Sequence, residues 1–276
     1  MILSLFAGVS AALAWSISSS IWRLQAEKFS ILQLNILKNA IGALIFLPVL
    51  FSIDWSIDLK YIFLLLLSGF IGISLGDTFY FAALERLGTR RTLTVESLGP
   101  IYGSLFGILF LDENITTRLI LGSIMVSLSV YLVSKPVSRR GKEDCINTDL
   151  SKNINRMGFI YAFVSISFAI IGATLSKFVL LNSSLLPIQT TEIRLISGFL
   201  PLILFGSVFK KYRFSCFKIN TLFDYKMILI ATFLGTNLGV YLQQYVFKHL
   251  PFGLAITLLS LSPIIAIPIS IIEGER

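Results

Sequence analysis

One histidine, His249, and two cysteines, Cys145 and Cys216, are the only imidazole and thiol groups in the 276 residues. A zinc site, a haem site or a disulfide framework needs more of them, closely spaced, so none of the three has support. Charge is scarce too: Asp, Glu, Lys and Arg make up 14% of the chain, where a soluble domain holds about 25%. No G-x-x-x-x-G-K-[ST] loop occurs, so primary coupling to ATP would need another subunit. What is abundant is apolar surface, with 55% hydrophobic residues and a mean hydropathy of +0.83. That balance belongs to an integral membrane protein. The net charge of +8 sits largely in short runs between apolar segments, such as Lys210, Lys211 and Arg213. Such runs are topology signals rather than a nucleic-acid footprint.

A bilayer core about 30 Å thick takes about 20 apolar residues per helix. By that measure nine spans are predicted, near 2–22, 31–53, 60–84, 91–111, 117–134, 157–180, 187–209, 227–247 and 253–272. The first has no basic n-region and no cleavage site leading into a polar mature sequence, so it reads as a retained helix. Residues 135–156 form the one long polar linker. The expected domains are therefore a first repeat over 1–134, the linker, and a second repeat over 157–276.

The stretch Gly72–Ile101 recurs from Gly235 to Ile264. Without a gap, nine of 30 positions are identical, Gly72, Gly76, Thr94, Ser97 and Pro100 among them, against about three expected by chance. An offset of 156 extends the match upstream, placing Ser16 on Gly172, Lys38 on Arg194 and Gly42 on Gly198. The repeat unit is then five helices. An odd number of crossings makes the second copy enter from the opposite side of the bilayer, which gives inverted halves, an architecture found mainly in transporters. Glu113 closes the fourth helix, and Glu275 falls within a residue of the equivalent place, where a tenth helix should start. Truncation is favoured over a nine-helix variant. Lys and Arg crowd the loops after the first, third, fifth and seventh helices, which puts the long linker in the cytoplasm and the N-terminus outside.

The ordered set of features resembles the EamA-type transporters of the drug/metabolite transporter superfamily. The features are a small-polar first helix (Trp15-Ser16; Ile171-Gly172), a basic residue early in the second (Lys38; Arg194) and a Gly-rich third. A fourth helix follows with Ser97 to Pro100, or Ser260 to Pro263, and a closing acid (Glu113; Glu275). The resemblance implies an all-α membrane protein of two inverted EamA repeats, a ten-helix fold lacking its last helix here. It also implies secondary transport of small metabolites in the bacterial inner membrane, with both termini in the cytoplasm.

Few ionisable groups lie within the spans, and each is costly there unless it works or reaches the interface. Asp77 and Glu96 fall at similar depth on antiparallel neighbours, ten residues before and nine after Leu87. Two carboxylates so placed can share a proton, as proton coupling requires. Lys38 and Arg194 sit about seven residues into their helices, near opposite membrane faces by inversion, as interfacial anchors or as counter-ions to a gate or a carboxylate-bearing substrate. Neutral candidates for substrate contact are Trp15, Ser16, Asn35, Asn39, Tyr80 and Tyr102 in the first half, with Asn237, Tyr241, Gln244 and Ser260 in the second. Asn35 and Asn39 share a helix face, as do Asn237, Tyr241 and Gln244, and such stripes also bond helix to helix. Pro100 and Pro263 read as helix-interior kinks and hinges.

An intramembrane aspartyl protease would need a second aspartate, but Val240 stands at the repeat position of Asp77, and His249 lies beside Lys248 at a loop. Enzyme activity is not expected. A lipid or lipid-linked sugar flippase of the same architecture is the alternative, favoured by a cavity open sideways to lipid. The expected partners are a small-molecule substrate and membrane lipid, with a homodimer left open. No nucleic acid, metal or cofactor is expected.

Overall fold

The computed structural model describes residues 1–26, 28–113, 117–134, 149–208, 222–262 and 264–266. Pro263, Glu275, residues 135–148 of the polar linker, and Lys210, Lys211 and Arg213 lie outside the described residues. Among those described, the chain is helical and has no strand. Helices α1 (Ile2–Ala26) and α2 (Ile31–Phe46) are joined by a turn that ends in a capping box at Ser30 and Gln33. That box satisfies first-turn amides that a membrane interface would otherwise leave to water. Pro48 tightens the end of the second span into a 3₁₀ turn over Leu47–Ser52. In the following loop Asp54 accepts the Ser56 N–H at 3.0 Å, which holds its carboxyl below the usual carboxylate range. Asp58 then caps α3 through the Lys60 N–H at 2.9 Å.

The third span is one rod in two registers. Helix α3 (Leu59–Gly69) passes through a π-helical segment, Phe70–Leu75, into α4 (Gly76–Glu96). Gly88, at φ +73° and ψ 173°, turns the chain within α4, a conformation open to glycine and strained for L side chains. Helix α5 (Gly99–Leu111) completes the fourth span, followed by α6 (Thr117–Ser134). In the second half, α7 (Asp149–Asn182) starts inside the polar stretch expected to be linker, and α8 (Pro187–Val208) follows. Helix α9 (Leu222–Ala231) runs through a second π-helical segment, Thr232–Leu238, into α10 (Gly239–His249), and α11 is Phe252–Leu259. Five described helices are by themselves long and apolar enough to cross a membrane: Ile2–Gln25, Leu32–Ser52, Leu59–Gly88, Arg156–Asn182 and Asp224–His249.

The backbone repeats where the sequence repeats. At the same offset that aligns Gly72 with Gly235, the two π-helical segments coincide, and α4 and α11 end at aligned residues, Glu96 and Leu259. Packing is reciprocal between the copies. Helix α1 lies along α9, its π segment and α10, while α7 lies along α3, its π segment and α4. A Cβ on Gly42 would meet Thr236 at 2.9 Å, and one on Gly198 would meet Ile73, the residue aligned with Thr236, at 2.7 Å. Exchange of equivalent contacts of this kind is what a twofold relation between two copies produces.

The fourth and ninth spans are not continuous helices. Ser97 and Leu98 form a turn between α4 and α5, and Pro100 sits in the first turn of α5 instead of kinking a helix interior. The physical reason is that a first-turn amide has no intrahelical partner, so proline costs nothing there. Small residues at this junction allow close crossing: a Cβ on Gly103 would be 2.7 Å from Ile256 Cβ, so α5 and α11 touch almost backbone to side chain.

Candidate functional site

A cavity of about 270 Å³ lies between the two halves. Its walls come from the C-terminal half of α1 and from α2, the two π-helical segments, α4, α7 and α8. One end is formed where the broken spans cross, at Glu96, Gly99, Ser260 and Ser262. Trp15, Ser18, Ser19 and Trp22 repeat at helical spacing and present one face of α1 to it. Tyr80 and Phe81 add two more rings.

The π-helical segments account for the detail of the wall. A π turn shifts the register of the ladder and frees carbonyl groups, which need partners in a membrane. Trp15 Nε1 donates to Gly235 O at 2.8 Å, and Ser165 Oγ donates to Gly76 O at 3.0 Å, so both copies are serviced from the opposite half. Ser74 O receives Thr78 Oγ1 at 2.6 Å and Asn35 Nδ2 at 3.2 Å.

Four charged residues reach the cavity: Lys38, Asp77, Glu96 and Arg194. Lys38 forms an ion pair with Asp77 and lies 5.9 Å above the Phe81 ring. Arg194 is brought in by two glycines of the third span. A Cβ on Gly69 would lie 2.9 Å from Arg194 Cα, and one on Gly72 would lie 3.3 Å from Arg194 Nη2, so a side chain at either place would push α8 or its guanidinium away. Arg194 is 3% exposed, its Nε and Nη1 are buried without a partner, and no hydrogen bond or ion pair reaches the guanidinium among the described residues. A buried, unpaired cation costs several kcal/mol.

A second ionic cluster stands at the other end of α5, about 20 Å from Gly99 by helical rise. Asp112 adopts a left-handed conformation (φ 50°) and Glu113 N–H bonds back to Gly107 O at 3.1 Å, which turns the Glu113 carboxylate toward the second half. There its oxygens accept Phe252 N–H at 2.8 and 2.6 Å and Lys177 Nζ at 2.7 Å, and Lys177 also donates to Leu250 O at 2.6 Å. Helix α11 has no side-chain cap of its own, so Glu113 supplies it from the other half.

This arrangement has relatives. Residues 2–135 match the EamA-like transporter family. The chain carries an EamA-like transporter domain. An uncharacterized transporter of Archaeoglobus fulgidus is 24% identical over 134 residues, 48% of this chain and 48% of the relative. The uncharacterized transporter YoaV of Bacillus subtilis is 25% identical over 136 residues, 47% of this chain and 46% of the relative. The chain thus matches about half the length of these curated relatives. A solved crystal structure of a protein, 14% identical, superposes with a TM-score of 0.74 over 100% of this chain and 90% of that chain, a likeness of fold alone. The chain is an all-α, multi-pass membrane protein.

Of the residues that the sequence marks, Trp15, Lys38, Asp77, Tyr80, Glu96, Arg194 and Ser260 line the cavity. The expectation that inversion sets Lys38 and Arg194 near opposite faces is corrected, because both reach the same hollow. Ser16 lies behind the wall, donating to Ser262 O at 2.7 Å. Asn35 and Asn39 are fully buried between helices, with Asn35 Nδ2 on Thr78 Oγ1 at 2.8 Å and Asn39 Nδ2 on Asn35 O at 3.0 Å. Asn237 Nδ2 holds Gly42 O at 2.8 Å, and Gln244 accepts the Ser176 hydroxyl. Tyr102 packs on Phe163, with ring centroids 6.1 Å apart, and Tyr241 is half-buried outside the lining. Trp22, Ser165 and Gln243 line the cavity without having been singled out; for Trp22 the signal was the seven-residue interval from Trp15.

Proposed function

We propose that this EamA-like chain is a secondary transporter that carries a small metabolite through the cavity by alternating access in the plasma membrane. The observation that carries the reading is a hollow walled by both repeats in which two carboxylates and two cations meet four aromatic rings. A passive lipid-packing defect would have no reason to gather these charges. The transporter names of its relatives support the same reading. In this proposal residues 1–134 and 157–276 act as two bodies that rock about the site, and the broken fourth and ninth spans supply the bending. Glu96 and Asp77 take up and release the coupling proton, with Lys38 and Arg194 as the facing cations and Tyr80 as the neighbouring phenol.

The test is a screen of radiolabelled small metabolites in proteoliposomes holding the full chain, with and without an imposed pH gradient. At least one saturable flux should respond to the gradient, and Glu96→Gln should remove that response. Gradient-driven flux that persists in both Glu96→Gln and Asp77→Asn would refute the proton assignment, and no saturable flux for any compound would refute transport.

A further inference from the structure

Among the described residues that line the cavity, one cation is not neutralised by contact. Lys38 is held by Asp77, whereas Arg194, 3% exposed and abutting Gly72 in the cavity wall, feels the Asp77 charge only at a distance and makes no hydrogen bond or ion-pair contact among the described residues. Such a group is an empty half of a charge pair, because its planar fork of donors is built for an oxyanion and a low-dielectric wall strengthens that bond. The rest of the lining limits the oxyanion. Asp77 and Glu96 face the same hollow, so a dianion would meet like charge, and among the described residues no second free cation stands beside Arg194 to hold it. Most of the remaining wall is apolar or aromatic, with Trp15, Trp22, Tyr80 and Phe81 able to cover a flat body, and it is interrupted by neutral polar groups such as Ser19, Ser165 and Gln243.

Resting on the transport reading of this site, we infer that the cargo is a small monocarboxylate with an apolar or aromatic body, and that its carboxylate docks on Arg194. Arg194 is then the residue that selects an anion, and Lys38 is not an alternative anchor. The volume of about 270 Å³ suits a body of one or two rings.

The experiment is equilibrium binding to the purified full chain in detergent, read as a ligand-induced rise in melting temperature and by tryptophan fluorescence. The probes are three carboxylates of graded size, butyrate, 3-phenylpropionate and indole-3-acetate. Each is set against its amide, with 3-phenylpropylamine and phenyl phosphate as charge controls. The expected result is binding by one or more carboxylates, with amides, amine and phosphate at least tenfold weaker. Arg194→Met should remove that preference, Arg194→Lys should restore part of it, and the unliganded Arg194→Met protein should melt several degrees higher, since an unpaired buried charge is gone. The higher melting point shows that the variant folds, so loss of binding cannot be a failure of folding. The inference is overturned if no carboxylate binds, if amide, amine or phosphate binds as well, or if the preference survives in Arg194→Met. Binding is measured without flux, so proton-driven transport without carboxylate preference sinks this inference alone. Carboxylate binding without flux sinks the transport reading alone.

Discussion

Replacing Glu113 by Gln should unfold this protein far more readily than the loss of one exposed charge would. Lys177 is 2% exposed and has two acceptors, the Glu113 carboxylate at 2.7 Å and Leu250 O at 2.6 Å. The amide of Gln can still receive the Phe252 N–H, so most of the α11 cap survives, and the main loss is the counter-charge of a buried ammonium. Breaking such a pair from one side costs about 3–5 kcal/mol, whereas replacing both members by neutral groups of similar volume is close to neutral. Glu113→Gln should therefore destabilise by about 3 kcal/mol, Lys177→Met by a similar amount, and the double variant by about 1 kcal/mol or less. The resulting coupling energy is several kcal/mol. Equilibrium unfolding in mixed dodecylmaltoside and sodium dodecyl sulfate micelles, followed through the three tryptophans, measures the cycle. Additive effects, or single variants within about 0.5 kcal/mol of the parent, would refute the claim that this carboxylate clasps the halves together.

Two further outcomes follow from packing and burial. Gly172→Ala places a methyl 2.7 Å from Gly72 Cα and 2.8 Å from Ser68 O, atoms that cannot swing aside. It should cost about 1–3 kcal/mol by the same unfolding assay, while Gly122→Ala, with nothing within 4 Å of the new methyl, should be neutral or slightly stabilising. Both oxygens of Glu192 are buried without a partner among the described residues, and the residue is 0% exposed. Glu192→Met should therefore raise stability by about 1–3 kcal/mol; a drop would mean that the carboxyl has a partner in solution.

The duplicated architecture was legible in the sequence because helix contacts in a membrane select residue size. Gly72 and Gly198 stand where helices of the two halves cross closely, and each keeps a glycine at its equivalent place in the other repeat, Gly235 and Gly42, where most side chains have diverged. The charged part of the site was legible as well, since Asp77, Glu96, Lys38 and Arg194 are conspicuous in apolar spans. Periodicity could not say which polar face looks into the hollow. The Asn35/Asn39 stripe and the Trp15/Ser19 stripe have the same spacing, but the first is buried between helices, with Asn35 on the Ser74 carbonyl of a π turn and Asn39 on Asn35, and the second lines the cavity. The π turns themselves leave no mark in composition. The Glu113 and Lys177 pair spans 64 residues, and only the packing of α5, α7 and α11 brings it together.

Labelling from the two sides of the membrane shows whether the cavity opens alternately to each. With Cys145 and Cys216 replaced by Ser, single cysteines at cavity positions Trp22, Ser165 and Ser260 are compared with Asn35 and Gln244, which are buried between helices. An impermeant thiol reagent is applied to right-side-out and inside-out vesicles, with and without a pH gradient. The cavity cysteines should react, from a side that changes with the gradient, while the other two stay protected. Equal labelling of both groups, or cavity cysteines that never react from either side, would contradict alternating access.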